Sequence, residues 1–266
     1  MISLRESINT KKNSFMISDE KNMIPENFLQ DIPQGIKTFQ TTGIFPGSMT
    51  LNYNPVALED FMHICRTFKI EKISLVDSTP FSSGYENWIN GRYELYNSIK
   101  KKNTEWMKKY KLIVFLDEKD LYMFKNIYGQ NSGNQPELIH YSEFFYRYHW
   151  KWNDVRCKNE SVYYIPECSM INHLGLKETP LRILEYLAEK VDFPDEKHHC
   201  LSGSGIITGL SENIIHKTVN TVLEQISIEK YHQIITTGPL ITYLINKILP
   251  RNNFTDLLKF IRTSTE

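Results

Sequence analysis

The second half of this chain repeats the first, with an apolar strand, a polar turn and a helix recurring in one order and at nearly one spacing. In the first half FPGSMTLNYNPVALEDFMHICRTF leads to KISLVDSTPFSSG and then to KLIVFLDEKDLYMFKNIYG. In the second, YYIPECSMINHLGLKETPLRILEYLAE leads to HHCLSGSGIITG and then to QIITTGPLITYLINKILP. Ser48 then falls opposite Cys168, Ser78 opposite Cys200, and Asp117 and Asp120 opposite Gly238 and Ile241. The first interval is 30 residues against 32, and the next is 39 against 38. A chain of 266 residues suits one large domain or two of ordinary size, and the repeat decides for two. These are residues 42–150 and 151–266, preceded by a polar extension over residues 1–41.

Each half reads as alternating strand and helix. Asn54 and Pro55 are a helix start, and Val56, Leu58, Phe61, Met62, Ile64, Cys65 and Phe68 supply its apolar face, which makes Cys65 a core residue. KISLV at 72–76 is a short strand, and residues 86–110 read as one helix with Lys100, Lys101 and Lys102 on its wet side. KLIVFL at 111–116 is a near-continuous apolar strand, as expected where both faces are covered, and a helix opens from it near Asp117. In the second half Thr179 and Pro180 start a helix, Ser211 caps another that runs to about Ile226, and QIITT is the strand before the last turn. Between the halves, IHYSEFFYRYHWKW supplies rings to pack the two domains together or onto a partner. Alternation of this kind predicts an α/β fold with two mostly parallel sheets flanked by helices. In such sheets ligands gather at the carboxyl ends of the strands. One site is therefore expected in each half, from residues 48, 78, 117 and 120 in the first and 168, 199, 200, 238 and 241 in the second.

Charge and hydropathy remove several functions. Lys plus Arg and Asp plus Glu are equal at 31 each, so no overall basic field exists to hold nucleic acid. The longest apolar stretch, Ile234 to Leu249, is interrupted by Thr, Gly, Asn and Lys and is short of the roughly 20 residues of a membrane span. Four cysteines, none closely paired, do not form a secreted disulfide framework. Residues 1–41 carry Asp19, Glu20 and Glu26 and lack the apolar stretch of a secretory signal. The expected location is the cytoplasmic or organelle-matrix side, peripheral to a membrane complex. The glycines of LSGSGIITG do not have dinucleotide-fingerprint spacing and follow no strong apolar strand.

The spacing of PECSM, HHCLSGSG and TTGPLITYL resembles the tandem cysteine-rich, or CCG, domain found in heterodisulfide reductase and in the E-type subunit of some succinate dehydrogenases and fumarate reductases. The resemblance places the family's lone Cys at Cys168, its Cys pair at His199 and Cys200, and its final Cys-x-x-Cys at Gly238 and Ile241. In the first half the equivalents are Ser48, Asp77 and Ser78, and Asp117 and Asp120. It implies two Rossmann-like cysteine-rich domains. A cluster needs thiolates, and the first half offers only Ser and Asp. There Asp117 and Asp120 read as stabilising a helix N-terminus, with a hard-cation site from Asp77, Asp117 and Asp120 as the alternative.

In the second half Cys168, His199 and Cys200 are candidate metal ligands, suited to zinc. A relict pair of buried thiols, or a disulfide, is open beside that. The implied function is an accessory, cluster-depleted subunit of a redox complex, not an enzyme alone and without a cofactor. Its partners would be other subunits, membrane-anchored, flavoprotein or iron–sulfur. The alternative is an electron-transfer oxidoreductase subunit that uses zinc or an iron–sulfur cluster in the second half.

Overall fold

The computed structural model describes residues 42–78, 81–129, 135–148, 155, 158–194, 209–248 and 254–266. The protein is α/β, with two sheets of four parallel strands, one from each half of the chain. The first sheet contains β1 (Thr42–Phe45), β2 (Ile73–Leu75), β3 (Leu112–Phe115) and β4 (Glu137–His140) in the order β2-β1-β3-β4. The second contains β5 (Lys158–Ile165), β6 (Ala188–Asp192), β7 (Gln233–Thr236) and β8 (Phe254–Asp256) in the order β6-β5-β7-β8. Strands such as Leu-Ile-Val-Phe at 112–115 bury both faces because parallel connections lay helices on each side of a sheet.

The registers define which positions are equivalent. Phe45 pairs with Phe115, and Ile165 pairs with Thr236, so Ser48 matches Cys168 and Asp117 matches Gly238. The outer strands β2 and β6 depart from the sequence alignment. Gly43 pairs with Ser74 and Tyr163 pairs with Asp192, so Ser74 in β2 matches Asp192 in β6, while Cys200 lies outside the described residues. The polar strand Ala-Glu-Lys-Val-Asp, which alternates weakly and follows its helix without a turn, has no apolar signature.

Helices α1 (Ser48–Tyr53) and α2 (Val56–Thr67) follow β1. The single helix expected over 86–110 is two, α3 (Tyr85–Ile89) and α4 (Tyr93–Met107), because the chain turns through Gly91 at φ 71°. After β3 come α5 (Glu118–Tyr122) and a wider π-type turn over Met123–Ile127. Helix α6 (Tyr141–Tyr146) follows β4, and a second π-type turn (Met170–Leu174) and α7 (Glu178–Leu187) follow β5. The remaining helices are α8 (Glu212–Ile226), α9 (Pro239–Ile248) and α10 (Leu257–Thr265).

The halves meet reciprocally, α2 against α10 and α6 against α7, α1 against α9 and α5 against the second π-type turn. Each contact joins an element of one half to a non-equivalent element of the other, the pattern of an approximate two-fold axis. One core is consequently shared, with Phe61, Phe144 and Phe145 from the first half packed with Leu184 and Phe260 from the second. The aromatic segment between the halves therefore contributes Tyr141, Phe144 and Phe145 to the junction, each such ring stabilising by about 1.5–3 kcal/mol. Cys65 is buried in the same core, and burial pushes its thiol far above the ordinary range. No helix among the described residues is long and apolar enough to cross a membrane.

Candidate active site

The carboxyl ends of β1, β3, β4, β5, β7 and β8 face the junction of the halves, and ionisable side chains are concentrated there. Asp117 follows β3 and caps α5, accepting hydrogen bonds from the backbone N–H groups of Lys119 at 2.7 Å and Asp120 at 3.2 Å. It is completely buried, and burial first, with the Glu118 charge second, raises its carboxyl from 3.8 to about 7. Asp120 lies against Gly47, where φ is +79° and any Cβ would strike Asp120 Oδ2. Burial, and then the Asp117 charge, push Asp120 well above the carboxylate range, with Ser83 hydrogen-bonding in opposition. The two carboxyls form a coupled pair that does not ionise fully together at neutral pH.

Three further charges close on one another across the junction. Glu118 pairs with Lys119 and accepts a hydrogen bond from Ser169 Oγ at 3.1 Å, and Lys119 Nζ lies 3.7 Å from Glu167 Oε2. Burial alone would neutralise these groups. For Glu118 it is outweighed by the Lys119 ammonium, which holds the carboxyl below its ordinary value, and for Lys119 by Glu118, Glu167 and Asp117, which hold the ammonium well above its own. Glu118 and Lys119 come from the first half, Glu167 and Ser169 from the second, so this set ties the halves together.

The ends of β4 and β8 complete the cluster. His140 and Asp256 occupy equivalent positions, and each caps the helix that follows it. Burial lowers the His140 imidazole to about 4 and raises Asp256 from 3.8 to about 7. Tyr141 is fully buried and feels Asp256 and Tyr164 from the second half and Glu118 and Asp117 from the first.

The residues singled out from the sequence fall differently. Ser48 is buried at the start of α1, and its Oγ donates to Glu86 Oε1 at 2.8 Å. Ser78 donates to Asn103 Oδ1 at 3.3 Å, and Asn103 in turn donates to the Tyr128 hydroxyl. Asp77 is exposed and pairs with Lys109 at 2.7 Å, so it cannot share a cation with Asp117 and Asp120. Cys168 is half-buried on the turn after β5, whereas His199 and Cys200 lie outside the described residues, as does any disulfide or metal site they would form. Among the described residues no group of three or more His, Cys, Asp or Glu side chains is placed to hold a metal ion. Sequence reasoning does not single out Glu118, Lys119, His140, Tyr141, Glu167 or Asp256. Their one signal is the run Asp-Glu-Lys-Asp directly after an apolar strand, which reads as a wet helix start.

No protein-family model matches the chain, and no curated protein sequence does. Solved structures similar to it include glutamate racemase isoform RacE1 from Bacillus anthracis, at 13% identity and TM-score 0.37, over 84% of this chain and 79% of that one. Another is an aspartate racemase from Picrophilus torridus, at 11% identity and TM-score 0.40, over 85% of this chain and 92% of that one. A third is an aspartate racemase homologue from Pyrococcus horikoshii, at 14% identity and TM-score 0.34, over 85% and 97%. These findings correct the cysteine-rich assignment, since the similar structures are named as racemases where CCG-domain redox subunits were expected. The readings as an accessory redox subunit and as an electron-transfer subunit fall with it. The physical reason is visible at the strand ends, where carboxylates and the Lys119 ammonium occupy the junction.

Proposed function

We propose that the chain is an enzyme that moves a proton on a small organic molecule enclosed between its two halves. The observation that carries this reading is Asp117, a buried carboxyl raised to about 7 at the carboxyl end of β3, beside an ammonium that its neighbours keep charged. A group titrating near neutrality both takes and returns a proton efficiently. In the proposed step the Asp117 carboxylate removes a proton from the carbon next to a carboxyl group, and the electron pair stays on the substrate, delocalised into that group. Return of the proton to the same or the opposite face gives exchange or isomerisation. The Glu118–Lys119–Glu167 set ties the halves together next to Asp117.

The test follows exchange of carbon-bound hydrogen for deuterium by NMR in heavy water at neutral pH, with a panel of small 2-substituted carboxylic acids. Aspartate and glutamate, which appear in the names of the similar structures, are the first compounds to try. Asp117→Asn keeps an oxygen for the helix cap and is expected to slow exchange by at least about 100-fold. An unchanged rate in that variant, or no exchange with any compound of the panel, would remove the reading.

A further inference from the structure

Buried polar atoms almost always find hydrogen-bond partners, and a group of them without any calls for an explanation. His140 Nε2, Tyr141 Oη, Glu118 Oε2 and Asp117 Oδ2 are all buried and none has a partner. They lie together at the carboxyl ends of β3 and β4. The register sets His140 beside Phe115, two residues before Asp117, and the His140 and Tyr141 rings are 4.1 Å apart between centroids.

The direction of the imidazole follows from its other nitrogen. The Ser142 backbone N–H donates to His140 Nδ1 at 3.3 Å, and Ser142 Oγ, itself 3.0 Å from Thr179 Oγ1, lies 2.9 Å from the same atom. Nδ1 therefore carries the lone pair and Nε2 carries the hydrogen, directed away from α6. The carboxylate whose charge acts on the ring is Glu118, and Tyr141 feels Asp256 and Tyr164 first and then Glu118 and Asp117. Two donors and two carboxylate oxygens without hydrogen-bond partners are thus gathered at the ends of two adjacent strands. Burial keeps the ring neutral above about pH 4, so its donor is present throughout the neutral range.

We infer that these four atoms mark a subsite for a neutral group presenting an acceptor and a donor on adjacent atoms, of which a primary amide is the type. The amide oxygen would accept from His140 Nε2 and Tyr141 Oη, and the amide nitrogen would donate to Glu118 Oε2 and Asp117 Oδ2. An anion is disfavoured, because Glu118 is ionised and the Lys119 charge is already matched by Glu118 and Glu167. The inference deepens the proposed function, since it names the chemistry of one part of the ligand enclosed between the halves.

The probes are acetamide and acetate, titrated into the full chain while the His140 Nε2 resonance is followed in nitrogen-15 spectra. Acetamide is expected to shift that resonance saturably, and acetate at the same concentrations is not. Tyr141→Phe removes a hydroxyl that has no partner in the fold, so its melting temperature should match the parent within about 2 °C while acetamide binds at least about 5-fold more weakly. Equal or tighter acetate binding, or no saturable shift with acetamide, would overturn the subsite. A clear loss of stability in Tyr141→Phe would also overturn it, by showing that a buried water already satisfies the hydroxyl. Acetamide has no part in the proton-exchange assay, so binding without exchange refutes only the proposed reaction, and exchange without binding refutes only the subsite.

Discussion

Replacing Asp256 by Asn isolates the cost of a buried carboxylate at the junction. Asp256 ends β8 and caps α10, with Oδ1 accepting from the Leu258 N–H at 2.8 Å, and burial followed by the Asp60 charge raises its carboxyl from 3.8 to about 7. The unfolded chain releases this proton near 3.8, while the native protein holds it to about 7. Over that interval the native state binds more protons, so stability falls as pH rises. The contribution is whole below 3.8 and lost above about 7. Between pH 5 and pH 8 the titration covers about 2 pH units at about 1.4 kcal/mol each, so the parent protein loses about 3 kcal/mol through this group. Asp256→Asn retains a capping oxygen and has no proton to release. His140 titrates in the opposite sense, its native value of about 4 lying below 6.5, and it does so in both proteins, so it cancels in the comparison. Urea unfolding at the two pH values should show the variant gaining on the parent by about 3 kcal/mol, and by no less than half that if the surroundings relax. A difference between the two proteins that stays constant within about 1 kcal/mol from pH 5 to pH 8 would refute the reasoning.

Phe144→Ala should cost about 3–5 kcal/mol and lower the single unfolding transition of the whole chain, since Phe144 stacks at 5.8 Å from Phe61 within a core drawn from both halves. Separate unfolding of one half in calorimetry would contradict the shared core. Gly238→Ala should destabilise by about 2 kcal/mol, because a Cβ there would meet the Oε1, Cδ and Cγ atoms of Glu167 and force that side chain off Lys119. In a Glu167→Ala background the same change should cost under about 0.5 kcal/mol, and additive costs in the double-mutant cycle would show that the two positions do not touch.

The architecture was legible where hydrophobic period and turn chemistry act alone. KLIVFL and QIITT declared themselves as apolar runs, α2 through its apolar face, and α7 and α8 through the residues that start them. Strand β6 did not, because Ala-Glu-Lys-Val-Asp is an edge strand with two exposed charges, and edge position is a tertiary fact. The break at Gly91 is hard to see because one glycine inside a helical pattern is often tolerated. The cluster was hidden for a different reason. Asp-Glu-Lys-Asp at 117–120 has the composition of a solvated helix start, and only the second half, laid over it by the shared core, turns those charges inward. Matching cysteine positions by spacing then drew attention to Cys168 and Cys200, whereas the pairing of the strands, not the loop lengths, decides which turns face each other.

That pairing also explains how a repeated frame came to hold an asymmetric cluster. In the first half the turn after β1 carries Gly47 and the turn after β3 carries Asp117 and Asp120, with Asp120 filling the space the glycine leaves. In the second half the roles are exchanged. The turn after β5 carries Glu167, at the position equivalent to Gly47, and the turn after β7 carries Gly238, at the position equivalent to Asp117, with Glu167 filling the space. Each half thus has one glycine facing one carboxylate, on opposite turns. An exact repeat would have set two identical carboxylates across the axis, which like charges at close range resist strongly in a buried setting. With the exchange, Glu167 from the second half meets Lys119 from the first, which Glu118 also holds. The strongly raised carboxyls among the described residues are then those outside that set, Asp117, Asp120 and Asp256, and the groups able to carry a proton are separated from the groups that hold the structure closed.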